Sequence, residues 1–166
     1  LASVLGVQID LAIGTAIGGD ATGDQLISIE NLDGSQSDDI LSGNNEENNL
    51  AGEGGDDILR GRGGDDWYWG DAGADRFVFD LAGGNDVIFD FEVGTDVIDL
   101  RYVSGVSTFA DLNPISAGGN LLLSLPDGST ITVIFYGSTA ISNADFIFAG
   151  QTFTGNNRSD RFTGTN

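Results

Sequence analysis

Glycine recurs every nine residues through the middle of this 166-residue chain. Five uninterrupted blocks read GSQSDDILS, GNNEENNLA, GEGGDDILR, GRGGDDWYW and GDAGADRFV, from residue 34 to residue 78. A two-residue shift precedes a sixth block, LAGGNDVIF (81–89), and GTDVIDL (94–100) is a further imperfect copy. A repeat this short predicts a chain that coils, with one turn and one short strand in each block.

The last three positions of each block place an apolar residue at position 8 between two neighbours that point the other way. This alternation is typical of a short strand with one face buried. The residues at position 8 are Leu41, Leu50, Leu59, Tyr68, Phe77 and Ile88. Stacked about 4.8 Å apart, such strands would line one continuous core.

Position 6 carries an acidic residue or Asn in every block, and stacking the coils would align these side chains in columns. The chain has a net charge of −20, and residues 33–100 hold 18 of its 26 acidic residues but only three of its six arginines. Aligned carboxylates without a counter-charge would oppose stacking. The sequence therefore predicts a cation in each column.

The available ligands decide which cation. The chain has no His and no Cys, so only oxygen ligands remain, from carboxylates and from the carbonyls of glycine-rich turns. Such ligands favour Ca²⁺ over transition metals and over Mg²⁺, which requires tighter octahedral geometry. The predicted metal-site residues are Asp39, Asn48, Gly52, Gly54, Gly55, Asp57, Gly61, Gly63, Gly64, Asp66, Gly70, Gly73, Asp75, Gly83, Asp86 and Asp96.

If two blocks make one coil, each ion lies between turns that are two blocks apart. The predicted pairs are Asp39 with Asp57, Asn48 with Asp66, Asp57 with Asp75, and Asp66 with Asp86. We expect roughly three to five ions on this arrangement.

Several classes of function are excluded or disfavoured. Without His or Cys the chain has no Ser-His-Asp triad, thiol nucleophile or disulfide, and no zinc or haem bound through nitrogen or sulfur. Adjacent carboxylates such as Asp56 and Asp57 point apart in an extended turn, so we expect no catalysis in this fragment. The scattered arginines do not form a patch for nucleic acid or an anionic membrane, and no apolar stretch is long enough to span a bilayer.

The blocks resemble the glycine-rich nonapeptide G-G-x-G-x-D-x-U-x of the RTX (repeats-in-toxin) calcium-binding family. The similarity is best at 52–78, where position 4 is Gly55, Gly64 and Gly73 and position 6 is always Asp. Position 2 departs from the motif throughout, as Ser35, Asn44, Glu53, Arg62 and Asp71, and Asn48 replaces an aspartate. The resemblance implies a module of a larger protein that a Gram-negative bacterium secretes through a type I system, and that folds outside the cell on binding calcium.

The predicted fold is all-β: a right-handed parallel β-roll at 33–100, preceded by irregular β coils at 1–32. Residues 101–150 are predicted to form an antiparallel cap, with a helical turn at 108–112, a hairpin at 119–137 that turns at Pro126-Asp127-Gly128, and a strand at 144–150. Residues 151–166 are expected to be a linker or the start of another repeat array, since GNNRSDRFT (155–163) places Asp160 at position 6.

Two features leave alternatives open. The run Trp67-Tyr68-Trp69 places Tyr68 inward and two indoles outward, which either pack under flanking segments or stack on a sugar or a protein partner. Arg60, Arg62 and Arg76 either pair with Glu53, Asp65 or Asp71, or hold an anionic polysaccharide such as alginate. The alternative function is therefore a carbohydrate-binding module of a polysaccharide-modifying enzyme.

Overall fold

The computed structural model describes residues 6–134 and 141–151, and these residues form two seven-stranded sheets. The strands are β1 (Gln8–Asp10), β2 (Thr15–Ile17), β3 (Asn31–Asp33), β4 (Ile40–Ser42), β5 (Asn49–Ala51), β6 (Ile58–Arg60), β7 (Trp67–Trp69), β8 (Arg76–Asp80), β9 (Asn85–Ile88), β10 (Val97–Tyr102), β11 (Ile115–Ala117), β12 (Asn120–Ser124), β13 (Thr130–Ile134) and β14 (Phe146–Ile147). Three short 3-10 helices, Gly19–Ala21, Phe109–Leu112 and Asn143–Asp145, complete the described elements.

Successive repeat strands alternate between the two sheets. The first sheet has the order β14-β10-β8-β6-β4-β1-β2, and the second has the order β11-β12-β13-β9-β7-β5-β3. From β4 to β9 each strand pairs in parallel with the strand two blocks away, as Leu41 does with Leu59 and Leu50 with Tyr68. Two blocks therefore make one coil, and the predicted parallel β-roll with an antiparallel segment is confirmed.

The core is a column of position-8 side chains enclosed between the sheets. Leu41, Leu50, Leu59, Phe77 and Ile88 have no exposed surface. Flanking positions of the same strands are partly or fully exposed, as the three-residue pattern in β4 to β7 shows. Burial of this single row stabilises each coil only against its neighbours, which is why the structure needs a stack.

The N-terminal residues add one coil to the roll. Strand β1 pairs in parallel with β4, and β2 turns back antiparallel on β1 to end the first sheet. Strand β3 is parallel to β5 and ends the second sheet. The predicted strand at VQIDLAIG is thus present in part, whereas most of DQLISIENL has no regular secondary structure before Asn31.

The C-terminal residues extend both sheets at the other end of the stack. The hairpin β12–β13 turns at 125–129, and β13 pairs in parallel with β9. Strand β14 pairs in parallel with β10, but it has two residues where a longer strand at 144–150 was predicted. Its shortness follows from the 3-10 helix Asn143–Asp145, which takes up the start of that segment. The helical turn at 108–112 is confirmed as Phe109–Leu112.

Some sequence predictions lie outside the described residues. Residues 135–137 of the hairpin and the block at 155–163 with Asp160 are among them. The longest helix in the described part of the chain has four residues, and none there is long and apolar enough to cross a membrane.

Candidate metal centre

The position-6 side chains form two hydrogen-bonded ladders, one along each edge of the roll. On the edge that leads into the first sheet, the N–H of Asp39 donates to Oδ1 of Asp57 at 2.7 Å, and the N–H of Asp57 donates to Oδ1 of Asp75 at 3.0 Å. The N–H of Asp75 donates to Oδ1 of Asp96 at 3.0 Å. Each carboxylate thereby ties its own coil to the preceding one.

The opposite edge repeats the pattern. The N–H of Asn48 donates to Oδ1 of Asp66 at 2.8 Å, and the N–H of Asp66 donates to Oδ1 of Asp86 at 2.9 Å. The structure thus brings together each of the four pairs that the nine-residue spacing indicates. All seven predicted position-6 residues, from Asp39 to Asp96, are at most 4 % exposed.

Three carboxylates in the centre of the ladders have an oxygen with no hydrogen-bond partner. These atoms are Oδ2 of Asp57, Asp66 and Asp75, and all three are buried. A buried carboxylate oxygen without a donor carries an uncompensated desolvation penalty. A bound cation is the partner that would compensate it.

Burial also perturbs the protonation of these groups. Without a cation, desolvation raises the pKa of Asp57 and of Asp66 to about 7. Burial, together with nearby carboxylates, raises the pKa of Asp75 and of Asp86 to about 8. Burial likewise raises the pKa of Asp96 to about 7. Each of these groups is therefore harder to charge in the folded chain than in water, and a positive ion nearby would offset the loss of water.

The position-1 glycines lie directly against these carboxylates. A Cβ at Gly52 would collide with Oδ2 of Asp57, one at Gly61 with Oδ2 of Asp66, and one at Gly70 with Oδ2 of Asp75. Glycine is needed at these three positions because the aspartate side chain of each block folds back over its own turn.

The position-3 and position-4 glycines hold neighbouring coils in contact. The N–H of Gly54 and of Gly63 donates to the carbonyl two blocks earlier, at Ser35 and Asn44, each at 3.1 Å. Gly55 has φ +119°, and a Cβ there would overlap the backbone at Ser37 and Asp38. Gly64 and Gly73 approach the preceding coil in the same way, whereas a Cβ at Gly83 would lie 3.4 Å from Oδ2 of Asp86.

Side chains alone do not complete a calcium site. Within residues 6–134 and 141–151 no three acidic side chains converge as a metal-binding group. Calcium takes six to eight oxygen ligands, and backbone carbonyls are among its usual ones. The carboxylate pairs and the glycine turns beside them fit such a mixed ligand set.

Residues 42–77 match the family model of the RTX calcium-binding nonapeptide repeat, in four copies. These residues are RTX calcium-binding repeats. The unpaired oxygens of Asp57, Asp66 and Asp75 all belong to the matched segment. The chain therefore contains a calcium-binding β-roll.

No curated protein sequence matches the chain, but solved structures resemble it, among them the following two. The extracellular lipase LipA from Serratia marcescens is 22% identical with a TM-score of 0.49, over 81% of this chain and 24% of the lipase. The AlgE6R3 subunit of the Azotobacter vinelandii mannuronan C5-epimerase is 24% identical with a TM-score of 0.33, over 76% of this chain and 87% of that subunit. The chain spans about a quarter of the lipase's length.

Sequence reasoning missed two acidic residues that accept backbone N–H groups of neighbouring turns. Asp90 accepts the N–H groups of Gly70 and Asp71 at 3.0 and 2.8 Å. The buried Asp145 accepts the N–H of Gly94 at 3.0 Å. Its position directly before the apolar run FIF, like position 6 before each strand, is the signal that could have identified it.

The arginines beside the RTX repeats form ion pairs, but the predicted partners were wrong. Arg60 pairs with Asp80 at 2.7 Å, Arg62 pairs with Asp10 at 2.6 Å, and Arg76 lies 3.9 Å from Asp99. Glu53, Asp65 and Asp71 lie in the turns, whereas the actual partners lie on or directly beside the strands and are brought near by stacking. Each of these three arginines thus has a carboxylate of the same chain nearby.

The two indoles of the repeat 61–69 lie on the outer face of the second sheet. Trp69 stacks on Phe89 with ring centroids 4.5 Å apart, while Trp67 meets both rings edge-on and is 48 % exposed. Tyr68 points inward as predicted and is 1 % exposed. Trp69 therefore packs within its own sheet.

Proposed function

We propose that this β-roll folds when calcium binds its repeats outside the cell, and that it thereby stabilises and supports the secretion of a larger exported protein. The observation that carries the proposal is the set of buried, unpaired Oδ2 atoms at Asp57, Asp66 and Asp75. They make the stack unfavourable without a cation and favourable with one.

The ion would supply positive charge between carboxylates that are already held in place. Asp57, Asp66 and Asp75 each keep Oδ1 on a backbone N–H of the preceding coil and leave Oδ2 for the ion. In an unfolded chain these groups are not held together, so the binding free energy of calcium would contribute to folding.

The expected calcium affinity would allow the module to fold outside the cell but not in the cytosol. Extracellular calcium modules bind with a Kd of about 10⁻⁴ to 10⁻³ M. At a calcium concentration ten times Kd, each site adds about 1.4 kcal/mol to the free energy of unfolding. Several such sites are enough to fold a module of marginal stability, and this fits export of an unfolded chain from a Gram-negative bacterium.

Circular dichroism of the 166-residue chain tests the proposal. In chelator we expect the spectrum of a largely unfolded chain, and on adding millimolar Ca²⁺ we expect a strand spectrum with a cooperative transition. Mg²⁺ at the same concentration is the control and should not produce the transition. A chain with the same strand spectrum in chelator and in calcium would overturn the proposal.

A further inference from the structure

The turns of the roll are of two kinds, distinguished by the backbone at position 2. In the turns 52–57, 61–66, 70–75 and 81–86 this residue has a left-handed conformation although it is not glycine. The φ values are +72° at Glu53, +80° at Arg62, +59° at Asp71 and +60° at Ala82. We call these four the open turns.

In the open turns no hydrogen bond joins the N–H of position 2 to the carboxylate of its own block. The N–H of Asp71 donates to Asp90 at 2.8 Å, and the N–H of Ala82 donates to Asp127. Three of the four open turns contain the unpaired Oδ2 atoms described above.

The turns 34–39, 43–48 and 91–96 have a different conformation, and we call them the closed turns. Position 2 has a negative φ, and its N–H donates to the position-6 side chain of the same turn. The N–H of Ser35 donates to Oδ2 of Asp39, the N–H of Asn44 donates to Oδ1 of Asn48 at 2.7 Å, and the N–H of Glu92 donates to Oδ2 of Asp96 at 2.7 Å.

The position-6 side chains of the closed turns make further hydrogen bonds. Oδ1 of Asp39 accepts the N–H of Val7 at 2.5 Å and the hydroxyl of Ser35 at 3.1 Å. Nδ2 of Asn48 donates to the carbonyl of Glu30 at 3.4 Å. Both oxygens of Asp96 accept backbone N–H groups, one of them from Asp75. The N–H and O–H donors of the closed turns thus point their hydrogens at the side-chain oxygens that a cation would need as ligands.

The local sequence explains the first two closed turns. The side chains of Ser35 and Asn44 accept the N–H of position 4, from Ser37 at 3.2 Å and from Glu46 at 2.7 Å. Such local hydrogen bonds favour an ordinary turn. Position 4 in these turns is Ser37 or Glu46, whereas every open turn has glycine there.

We propose that calcium binds only at the four open turns, and that the closed turns on either side replace the ion with N–H donors. This proposal rests on the proposed function, because it assigns the ions of the same roll. It changes the role of Asp39, Asn48 and Asp96 from metal ligands to hydrogen-bond acceptors that join the coils. In the turns 34–39 and 43–48 the residue types at positions 2 and 4 favour the closed conformation.

A matched pair of variants tests this assignment by counting ions. Asp57→Asn alters an open turn and Asp39→Asn alters the closed turn one coil earlier on the same edge. After equilibration at saturating calcium, bound metal per chain is measured by mass spectrometry and by calorimetric titration. We expect D57N to bind about one fewer ion than the unmodified chain and D39N to bind the same number.

The outcomes separate the two proposals. An unmodified chain that binds no calcium would overturn the proposed function. A chain that binds calcium but loses as many ions through D39N as through D57N would overturn only the assignment to open turns.

Asn48→Ala gives a second test that does not depend on the folding of D39N. It removes the position-6 side chain of a closed turn on the other edge of the roll. We expect the number of bound ions to stay the same, because the side chain of Asn48 accepts the N–H of Asn44 and donates to the carbonyl of Glu30. Loss of one ion in N48A would contradict the proposal.

Discussion

The closed turn 34–39 and the open turn 52–57 occupy the same edge of the roll, one coil apart. They lead into β4 and β6, which pair in register, and each has an aspartate at position 6 that is 1 % exposed. In the first turn that aspartate is surrounded by N–H and O–H donors, whereas in the second one oxygen has none. The same nine-residue spacing therefore allows two ways of stabilising a buried carboxylate, by hydrogen bonds or by a cation.

The largest expected effect is the response of the metal-free chain to acid. The pKa values of Asp57, Asp66, Asp75, Asp86 and Asp96 are raised to about 7 or 8 by burial. An unfolded Asp has a pKa of about 3.9. The folded chain therefore binds more protons than the unfolded chain between these values, and its stability falls as the pH rises.

We expect the metal-free chain to gain strand signal in circular dichroism as the pH is lowered from about 8 to about 5. The calcium-loaded chain should show the opposite trend, because protons compete with the ion for the same oxygens. A strand signal in the metal-free chain that is constant or rises with pH would contradict the assigned pKa shifts.

The next largest effect concerns position 4. Gly64 has φ +101°, and a Cβ there would overlap Glu46 and lie 2.9 Å from the backbone nitrogen of Glu47. We expect Gly64→Ala to lower the free energy of unfolding in saturating calcium by about 3 kcal/mol or more, through backbone strain and overpacking. Chemical denaturation measures the change.

The control for Gly64→Ala is Glu46→Ala, which changes the same position in a closed turn. The side chain of Glu46 is exposed, so we expect a change within about 0.5 kcal/mol. Equal losses in the two variants would remove the distinction between open and closed turns.

A smaller effect is expected from the hydroxyl of Tyr68. The N–H groups of Gly34, Gly43 and Gly52 donate to the last strand carbonyl of the following block, at Ala51, Arg60 and Trp69. The N–H of Gly61 donates instead to the Tyr68 hydroxyl at 2.9 Å, because β8 continues to Asp80 and shifts the repeat.

Tyr68→Phe leaves the buried N–H of Gly61 without this partner, and we expect it to destabilise the fold by about 1–3 kcal/mol. Tyr102→Phe is the control, because this ring is 55 % exposed and its contact with Arg60 does not use the hydroxyl. Denaturation midpoints in saturating calcium would give the comparison. If both variants lose the same stability, the hydroxyl of Tyr68 has no structural role.

The smallest expected change in stability comes from placing glycine at position 2, and it has opposite signs in the two kinds of turn. Glu53 is exposed and has φ +72°, which is unfavourable for a side chain with a Cβ. We expect Glu53→Gly to stabilise the calcium-loaded fold by about 0.5–1 kcal/mol.

Ser35→Gly at the same position of the closed turn should destabilise the fold by about 1 kcal/mol, since it removes the hydroxyl that donates to Asp39. Thermal denaturation of the two variants in parallel measures both changes. A stabilising Ser35→Gly would show that the closed turn does not depend on its side-chain hydrogen bonds.

The repeat could be predicted from the sequence because it depends on local chemistry. Inward residues such as Leu41 and Leu59, the alignment of Asp57 with Asp75, and the hairpin around Pro126-Asp127-Gly128 all follow from spacing and turn residues. The ion pairs of Arg60 and Arg62 could not be predicted in this way. Their partners, Asp80 and Asp10, are 20 and 52 residues away, and only the stacking order brings them close.

The sequence by itself determined the nine-residue period, the buried row and the two acidic columns, since each depends on residue type at a fixed interval. Which carboxylates remain without a donor was decided only by the tertiary structure. The hydrogen-bond partners of Asp39 include Val7, which is 32 residues away, and the direction of the N–H at position 2 depends on a backbone angle. A motif specifies the carboxylate, but the folded backbone around it specifies whether an N–H group is its partner.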